Sequence, residues 1–449
     1  MHINISPTLS TRFLSTSLLF LTIVISLFSL NANALPSFAR QTGQSCSVCH
    51  TQSFGPNLTS FGREFKLGGY TMEGGKGLAA KLPAVSGMIV GSFTNTQKDQ
   101  PDGTLLPGYN KNNNFTFDQA SLFYGGKIYG KVGALSQLTY DGYSERLALD
   151  NTDIRFSDQL DIDTPVTYGV SINNNPTVQD LWNTTSAWGF PYNGSAVQPG
   201  IGAAALIDGG LSTQVGGASA YTMIDNLLYL DVGGYGSLDN NVQKAFGVAD
   251  AAQQQVDGVA PYWRAALQKD WHGHYFELGH YGMIADVFPG RDRSQGADHY
   301  TDVAVDATYQ YLANPKHIFE VKTTYIYEDQ KLNASRALGS VASTGGTYLN
   351  TFKINSAYTF DQTYGLTFAY NRVTGTNDAY LYGGNTVTRP DSQYFSTELV
   401  YVPFGKDSSY LYLMNLRTSL QYIGYSQFNG ANQAAQDNNT FMVNGWLAF

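Results

Sequence analysis

From Ala84 to the C-terminal Phe449 the chain repeats every second residue. Tyr364, Leu366, Phe368 and Tyr370 alternate with Gly365, Thr367, Ala369 and Asn371. Phe319, Val321, Tyr325 and Tyr327 oppose Glu320, Lys322 and Glu328 in the same way. So do Phe352, Ile354, Tyr358 and Phe360 against Lys353, Asn355 and Thr359, and Tyr412, Met414, Leu416, Leu420 and Tyr422 against Asn415, Arg417 and Gln421. A period of two puts the two sets on opposite faces of a strand. An all-β chain follows. No apolar run beyond residue 30 approaches the ~20 residues that a spanning helix needs, so any membrane crossing here is made by strands.

In a soluble sandwich the apolar face points inward, whereas in a transmembrane barrel it points to lipid and the polar face lines the lumen. Composition favours the barrel. Only 14% of the 449 residues are charged, with 47 Gly, 31 Tyr and 25 Phe, against roughly 25% charged in ordinary soluble domains. Aromatic residues cluster at segment ends, as in Trp263, Trp271 and Tyr275, consistent with an interfacial girdle. Long polar linkers such as Thr96–Asn114 and Phe288–Asp298 alternate with short turns. The ending Phe441, Val443, Gly445, Leu447, Phe449 is a last strand stopping on an aromatic residue, the form read by outer-membrane insertion machinery. The expectation is an outer-membrane barrel of about 16 antiparallel strands, with fourteen or eighteen as neighbouring solutions and both barrel ends in the periplasm. With 26 basic against 35 acidic residues and a net charge of −9, no nucleic-acid partner is expected.

The beginning of the chain agrees with export. Arg12 precedes an apolar run from Phe13 to Leu30, followed by Ala32-Asn33-Ala34. A positive start, an apolar stretch and an A-x-A site describe a signal peptide over residues 1–34, with a single transmembrane anchor as the alternative.

The sequence contains just two cysteines, in Cys46-Ser47-Val48-Cys49-His50. C-x-x-C-H is the attachment sequence of c-type heme. Thiols at this spacing add to the two vinyl groups, and the adjacent histidine lies beneath the iron. A reversible disulfide and a zinc site are the alternatives, but zinc would want two further ligands. Met72 is the nearest downstream methionine and the expected sixth ligand, with Met88 behind it. Residues 35–82 thus form a small monoheme segment and residues 83–449 the barrel. One short helix is expected, capped by Asn57 and burying Leu58, Phe61 and Phe65. Phe54 and Tyr70 would add aromatic cover. Arg40, Arg63 and Lys66 are candidate partners for heme propionates, each with solvated charge as the alternative. Fewer than fifty residues bury little core alone, so the barrel is the natural second wall.

Two other features are weaker. The irregular stretch from Ile172 to about Leu206 carries Asn173-Asn174-Asn175-Pro176 with Trp182, Trp188, Phe190 and Tyr192; it reads either as a lumen-folded element or as an extracellular loop. His272-Gly273-His274 reads as a tight turn beside Trp271, and Asp286, Asp292 and Asp298 as an acidic loop cluster.

The stretch Ala34–Gly43, the run Cys46–Thr51 and the block Phe61-Gly62-Arg63-Glu64-Phe65-Lys66-Leu67-Gly68-Gly69-Tyr70-Thr71 resemble the fused cytochrome c–porin family, which includes outer-membrane iron-oxidising cytochromes. Asn173–Asp180 and the ending Asp437–Phe449 are similar to the wider group. The resemblance implies one covalently attached heme c on Cys46, Cys49 and His50, held at or in the barrel. It further implies electron transfer from an extracellular donor such as Fe(II) to a periplasmic carrier cytochrome. A conduit for another donor or acceptor, and a solute porin whose heme segment is a plug or redox sensor, are the rival expectations.

Overall fold

The computed structural model describes residues 36–249, 253–385, 387–406 and 414–449. The signal peptide expected over residues 1–34, and Tyr412, lie outside the described residues. Three short helices come first: α1 (Pro36–Thr42), α2 (Cys46–Cys49) and α3 (Ser60–Leu67). Strands then run to the C-terminus: β1 (Val85–Thr96), β2 (Asn114–Tyr129), β3 (Val132–Asp141), β4 (Arg146–Leu160), β5 (Val166–Asn173), β6 (Val215–Ile224), β7 (Leu228–Ser237), β8 (Gln255–Val256), β9 (Ala260–Trp271) and β10 (His274–Phe288). After them come β11 (Asp298–Tyr311), β12 (His317–Lys331), β13 (Thr347–Phe360), β14 (Tyr364–Gly375), β15 (Ser392–Tyr401), β16 (Asn415–Gln427) and β17 (Thr440–Ala448).

Every neighbouring pair is antiparallel, and β1 pairs with both β2 and β17, from Met88 opposite Ala448 to Thr96 opposite Thr440. The sheet closes on itself. The two-residue β8 only flanks β10 at Val287 and Phe288, leaving a closed barrel of sixteen strands, as expected from the sequence. Closure satisfies every strand's backbone sideways, which lipid demands.

The faces divide as the alternation requires. Phe115, Leu122, Val232, Leu278, Leu366, Phe368, Leu399 and Leu420 are exposed on the outside. Arg155, Arg264, Glu277, Asp306, Glu320, Lys322, Glu398 and Arg417 are buried on the inside. An apolar exterior around a polar interior is the pattern of a bacterial outer-membrane barrel. Of the three expected girdle residues, Trp271 is exposed on the outside, but Tyr275 is buried and faces the lumen. There its hydroxyl accepts a hydrogen bond from Trp182 Nε1 at 2.5 Å. The parity of β10 decides this, since Tyr275 shares a face with Glu277.

Tight turns gather at one rim, at residues 130–131, 225–227, 272–273 and 361–363, and the chain enters β1 and leaves β17 at that same rim. By the usual asymmetry of loop lengths this is the periplasmic rim. His272 and Gly273 both take positive φ, 53° and 81°, the hairpin geometry of a two-residue turn. That pair is a turn.

The lumen is filled from both ends. Segment 36–82 enters from the rim of tight turns, and the long connection between β5 and β6 folds inward from the other. Thr177, Gln179, Asp180 and Trp182 in that connection are fully buried, so it is a lumen element. Substituting Leu420→Arg on the lipid face should destabilise the barrel by ~2–4 kcal/mol if the site lies near the midplane. The check is a lower temperature for the heat-induced mobility shift on unboiled gels, with no such drop for an exposed loop control, Gln295→Ser.

Candidate functional site

The α2 turn carries both cysteines and hands the chain to His50, whose backbone N–H donates to Cys46 O at 2.8 Å. His50 then turns extended and bridges Leu58, while Thr51 N donates to Asn57 O at 3.1 Å and Thr59 N to Cys49 O at 2.9 Å. A closed loop of residues 50–58 results. The helix behind it, α3, is capped by Thr59, whose hydroxyl oxygen accepts from Gly62 N at 3.3 Å. Asn57, the expected cap, is used elsewhere: its carboxamide oxygen accepts from Lys322 Nζ and from Tyr192 Oη, both at 2.9 Å. Gly62 lets α3 lie against the cysteine turn, since a Cβ there would stand 2.4 Å from Cys49 O.

Arg40, Arg63 and Lys66 are all buried, and each has protein partners. Arg40 donates to the carbonyls of Pro83 and Val85, tying α1 to the start of β1. Arg63 donates to Leu58 O at 2.7 Å and Gln310 Oε1 at 2.8 Å, and its guanidinium lies 3.6 Å over the Tyr275 ring. The Lys66 ammonium donates to Val178 O, Asp180 O and Asn183 Oδ1, at 2.9, 2.5 and 2.9 Å. These three cations fix the segment in place, which burial inside a charged lumen requires.

Beyond Lys66 lies a network that the linear sequence did not disclose. Tyr70 Oη donates to Asp153 Oδ2 at 2.7 Å, and Arg155 Nε donates to the same oxygen at 2.7 Å. Arg264 reaches Asp306, Glu277 and Asp180 at 2.7, 3.1 and 3.4 Å. Although burial pushes the Asp180 carboxyl up, the charges of Arg264 and Lys66 hold it below the usual carboxylate range. The only sequence signal was that Arg155 and Arg264 fall on the polar parity of their strands.

Between the segment and the barrel wall is a cavity of about 340 Å³, within the range of ligand sites. Cys46, Cys49 and His50 line it together, with Phe38, Phe54, Phe65 and Tyr70 from the segment and Trp188 and Tyr192 from the inward loop. The barrel side is Met88, Phe123, Leu135, Trp446 and Ala448, with the polar Gln119, Gln137, Asp150 and Asn151 beside them. Apolar inward residues also gather elsewhere in the lumen, as Tyr262, Tyr281, Met283 and Ala285 do on β9 and β10. Rings pack closely around the cavity: Phe38 and Phe65 at 4.9 Å between centroids, Phe54 and Trp446 at 4.7 Å.

Cys46 and Cys49 are not joined in a disulfide. Burial first, and Cys46 second, push the Cys49 thiol up to about 12, the opposite of the depressed thiol that a dithiol redox motif uses. No group of three or more His, Cys, Asp or Glu side chains suited to a metal ion occurs among the described residues, which leaves the zinc alternative without its further ligands. Burial pushes the His50 imidazole down to about 4, against the pull of the Asn57 and Gly55 backbones. It is therefore neutral near pH 7, and its Nδ1 is buried without a protein partner among the described residues.

Met72 is not among the residues lining this cavity. It is 39% exposed, and its carbonyl accepts from Gln41 Nε2 at 2.9 Å. The nearest methionine in sequence is therefore not a lining residue of the cavity that His50 opens on. Met88, 5% exposed, lines the same cavity as His50. The three expected acidic loop residues also separate: Asp298 caps the backbone of Ala334 and Ser335, Asp286 pairs with His299, and Asp292 accepts from Ser294 N.

No protein-family model matches the sequence, and no curated protein matches it. Solved structures similar to it are outer-membrane proteins. The channel DcaP of Acinetobacter baumannii is 10% identical, covering 81% of this chain and 96% of its own, with a TM-score of 0.47. The anion-selective porin from Comamonas acidovorans is 12% identical, covering 81% and 98%, with a TM-score of 0.44. OmpT of Vibrio cholerae is 9% identical, covering 81% and 97%, with a TM-score of 0.43. The barrel assignment rests on this chain's own closure and exterior.

Substituting Gly62→Ala should push α3 off the Cys49 carbonyl and loosen the segment without opening the barrel. Limited proteolysis should cut within residues 36–82 faster than in the wild type, at an unchanged barrel mobility shift.

Proposed function

We propose that this protein holds one heme c in its lumen and passes electrons across the outer membrane, from an extracellular donor such as Fe(II) to a periplasmic carrier cytochrome. The carrying observation is that Cys46, Cys49 and His50 open together on one cavity at the barrel wall, ringed by Phe38, Phe54, Phe65, Tyr70, Trp188 and Tyr192. Cys46 and Cys49 would form the two thioethers, and the neutral His50 would present an imidazole nitrogen to the iron. When bound, the heme supplies a one-electron couple.

The chain's own residues do the rest. Arg63 and Lys66 hold the segment against Gln310 and the inward loop, so the site is embedded in the barrel. That matters because a hydrocarbon core is ~30 Å thick, and a single redox centre serves both sides best from within. Trp188 and Tyr192 close the cavity from the loop side, and their rings limit water around the site. Fe(II) comes first among donors on the family resemblance alone. Each Fe(II) oxidised outside would then reduce one ferric cytochrome inside.

Liposomes carrying the holoprotein, with Fe(II) outside and ferric cytochrome c enclosed, should show coupled oxidation and reduction in equal amounts. His50→Ala should lower the rate to that of empty liposomes, and absence of transfer with every donor tried would sink the proposal.

A second reading, a solute porin with segment 36–82 as a plug, is favoured by barrel size, since sixteen strands suffice for an aqueous channel. The docking contacts oppose it. In planar bilayers the wild type should conduct little, and Lys66→Met, which strands the two buried acceptors Asp180 O and Asn183 Oδ1 at ~1–3 kcal/mol each, should conduct more. Large, solute-selective conductance in the wild type would favour the porin.

A further inference from the structure

We infer that Met88 supplies the second axial ligand to the iron of a heme held by Cys46, Cys49 and His50. This rests on the electron-transfer reading and adds the residue that sets the potential.

The argument is one of donors and room. Besides the cysteine turn and His50, the cavity-lining side chains able to ligate iron are Lys66, Tyr70, Asp150, Tyr192 and Met88. Four of them are committed, Asp150 accepting from Asn151 N at 2.8 Å and from Thr139 Oγ1 at 3.3 Å. Lys66 Nζ is held by three acceptors, Val178 O, Asp180 O and Asn183 Oδ1. Tyr70 Oη donates to Asp153 and Tyr192 Oη donates to Asn57. The Tyr70 phenol is also pushed well above its ordinary value by burial and by Asp153, which disfavours a phenolate ligand. Met88 has no such commitment among the described residues.

Its setting favours movement toward a ligand. Met88 faces its register partners Ser121 on β2 and Ala448 on β17, both small. An unbranched thioether with three rotatable bonds can use that space. Around it Phe65, Tyr70, Val90, Phe123 and Leu135 form an apolar cluster, so the sulfur is shielded from water. Methionine opposite histidine raises the reduction potential, which suits a centre that accepts electrons from a weak reductant.

The test uses purified holoprotein: wild type, Met88→Ala, Met88→His and Met72→Ala. Covalent heme is measured on denaturing gels, folding by the barrel mobility shift, ligation by the near-infrared sulfur-to-iron charge-transfer band, and potential by redox titration. The wild type and Met72→Ala should show the band. Met88→Ala should keep its heme, lose the band and turn high-spin, while Met88→His should stay low-spin with a lowered potential. If Met88→Ala does not fold, the wild-type band together with Met88→His decides. A band that survives in Met88→Ala or Met88→His, or is absent from the wild type, overturns the assignment of Met88 and leaves the heme intact. Wild-type protein without covalent heme overturns the electron-transfer reading and this inference together.

Discussion

A strand that crosses lipid must satisfy its backbone from its neighbours, and only a closed sheet does this for every strand. Here the pairing of β1 with β17 completes the circle, and the rest of the structure answers to that closure. Once the outer face belongs to lipid, the polar residues of a period-two chain have nowhere to go but inward. The lumen wall therefore carries Arg155, Arg264, Lys322 and Arg417, all buried. Charges taken out of water are costly unless paired, and losing one partner of such a pair typically costs ~3–5 kcal/mol. Glu398 meets Arg417 with two bonds at 2.7 and 2.9 Å, and wall carboxylates also meet Arg155 and Arg264. Lys322 takes partners from off the wall at Asn57, Trp182 and Asn183. The N-terminal segment and the inward loop supply them.

That supply gives the small segment its shape. Residues 36–82 have little core of their own, and a free-standing chain of this size would be marginal. Inside the barrel, Arg63, Lys66 and Tyr70 each find a partner on the wall or the loop. Tyr70 is held at φ 60°, a region that non-glycine residues seldom occupy, and its bond to Asp153 fixes it there. The segment and the barrel wall thus complete one another, and the cavity lies at their seam.

The fold was largely legible before any coordinates, because period-two alternation survives in the linear chain and its sense needs only the charge content to resolve. Lys353, Glu320 and Arg417 all fall on the inner face that the alternation gave them. The α3 cap was misread because Asn57 and Thr59 are both good caps locally, and the choice is made by Lys322 and Tyr192 reaching for Asn57. Tyr275 was misplaced for a similar reason: an aromatic residue at a strand end fits a girdle unless parity is counted from Glu277.

The sequence by itself determined the all-β class, the direction in which the strands face, and a C-x-x-C-H turn, since each is a matter of spacing along the chain. Only the tertiary structure decided that this turn lies inside the lumen, that Arg40, Arg63 and Lys66 serve as docking groups, and that Met88 rather than Met72 shares a cavity with His50. Those facts depend on which strands meet when the sheet closes. Met88 is distant from His50 along the chain, but β1, β2 and β17 come together at the closing seam and bring Met88, Ser121 and Ala448 into register. Proximity of that kind has no linear signature, because it arises from the circumference of the barrel and not from the order of its residues.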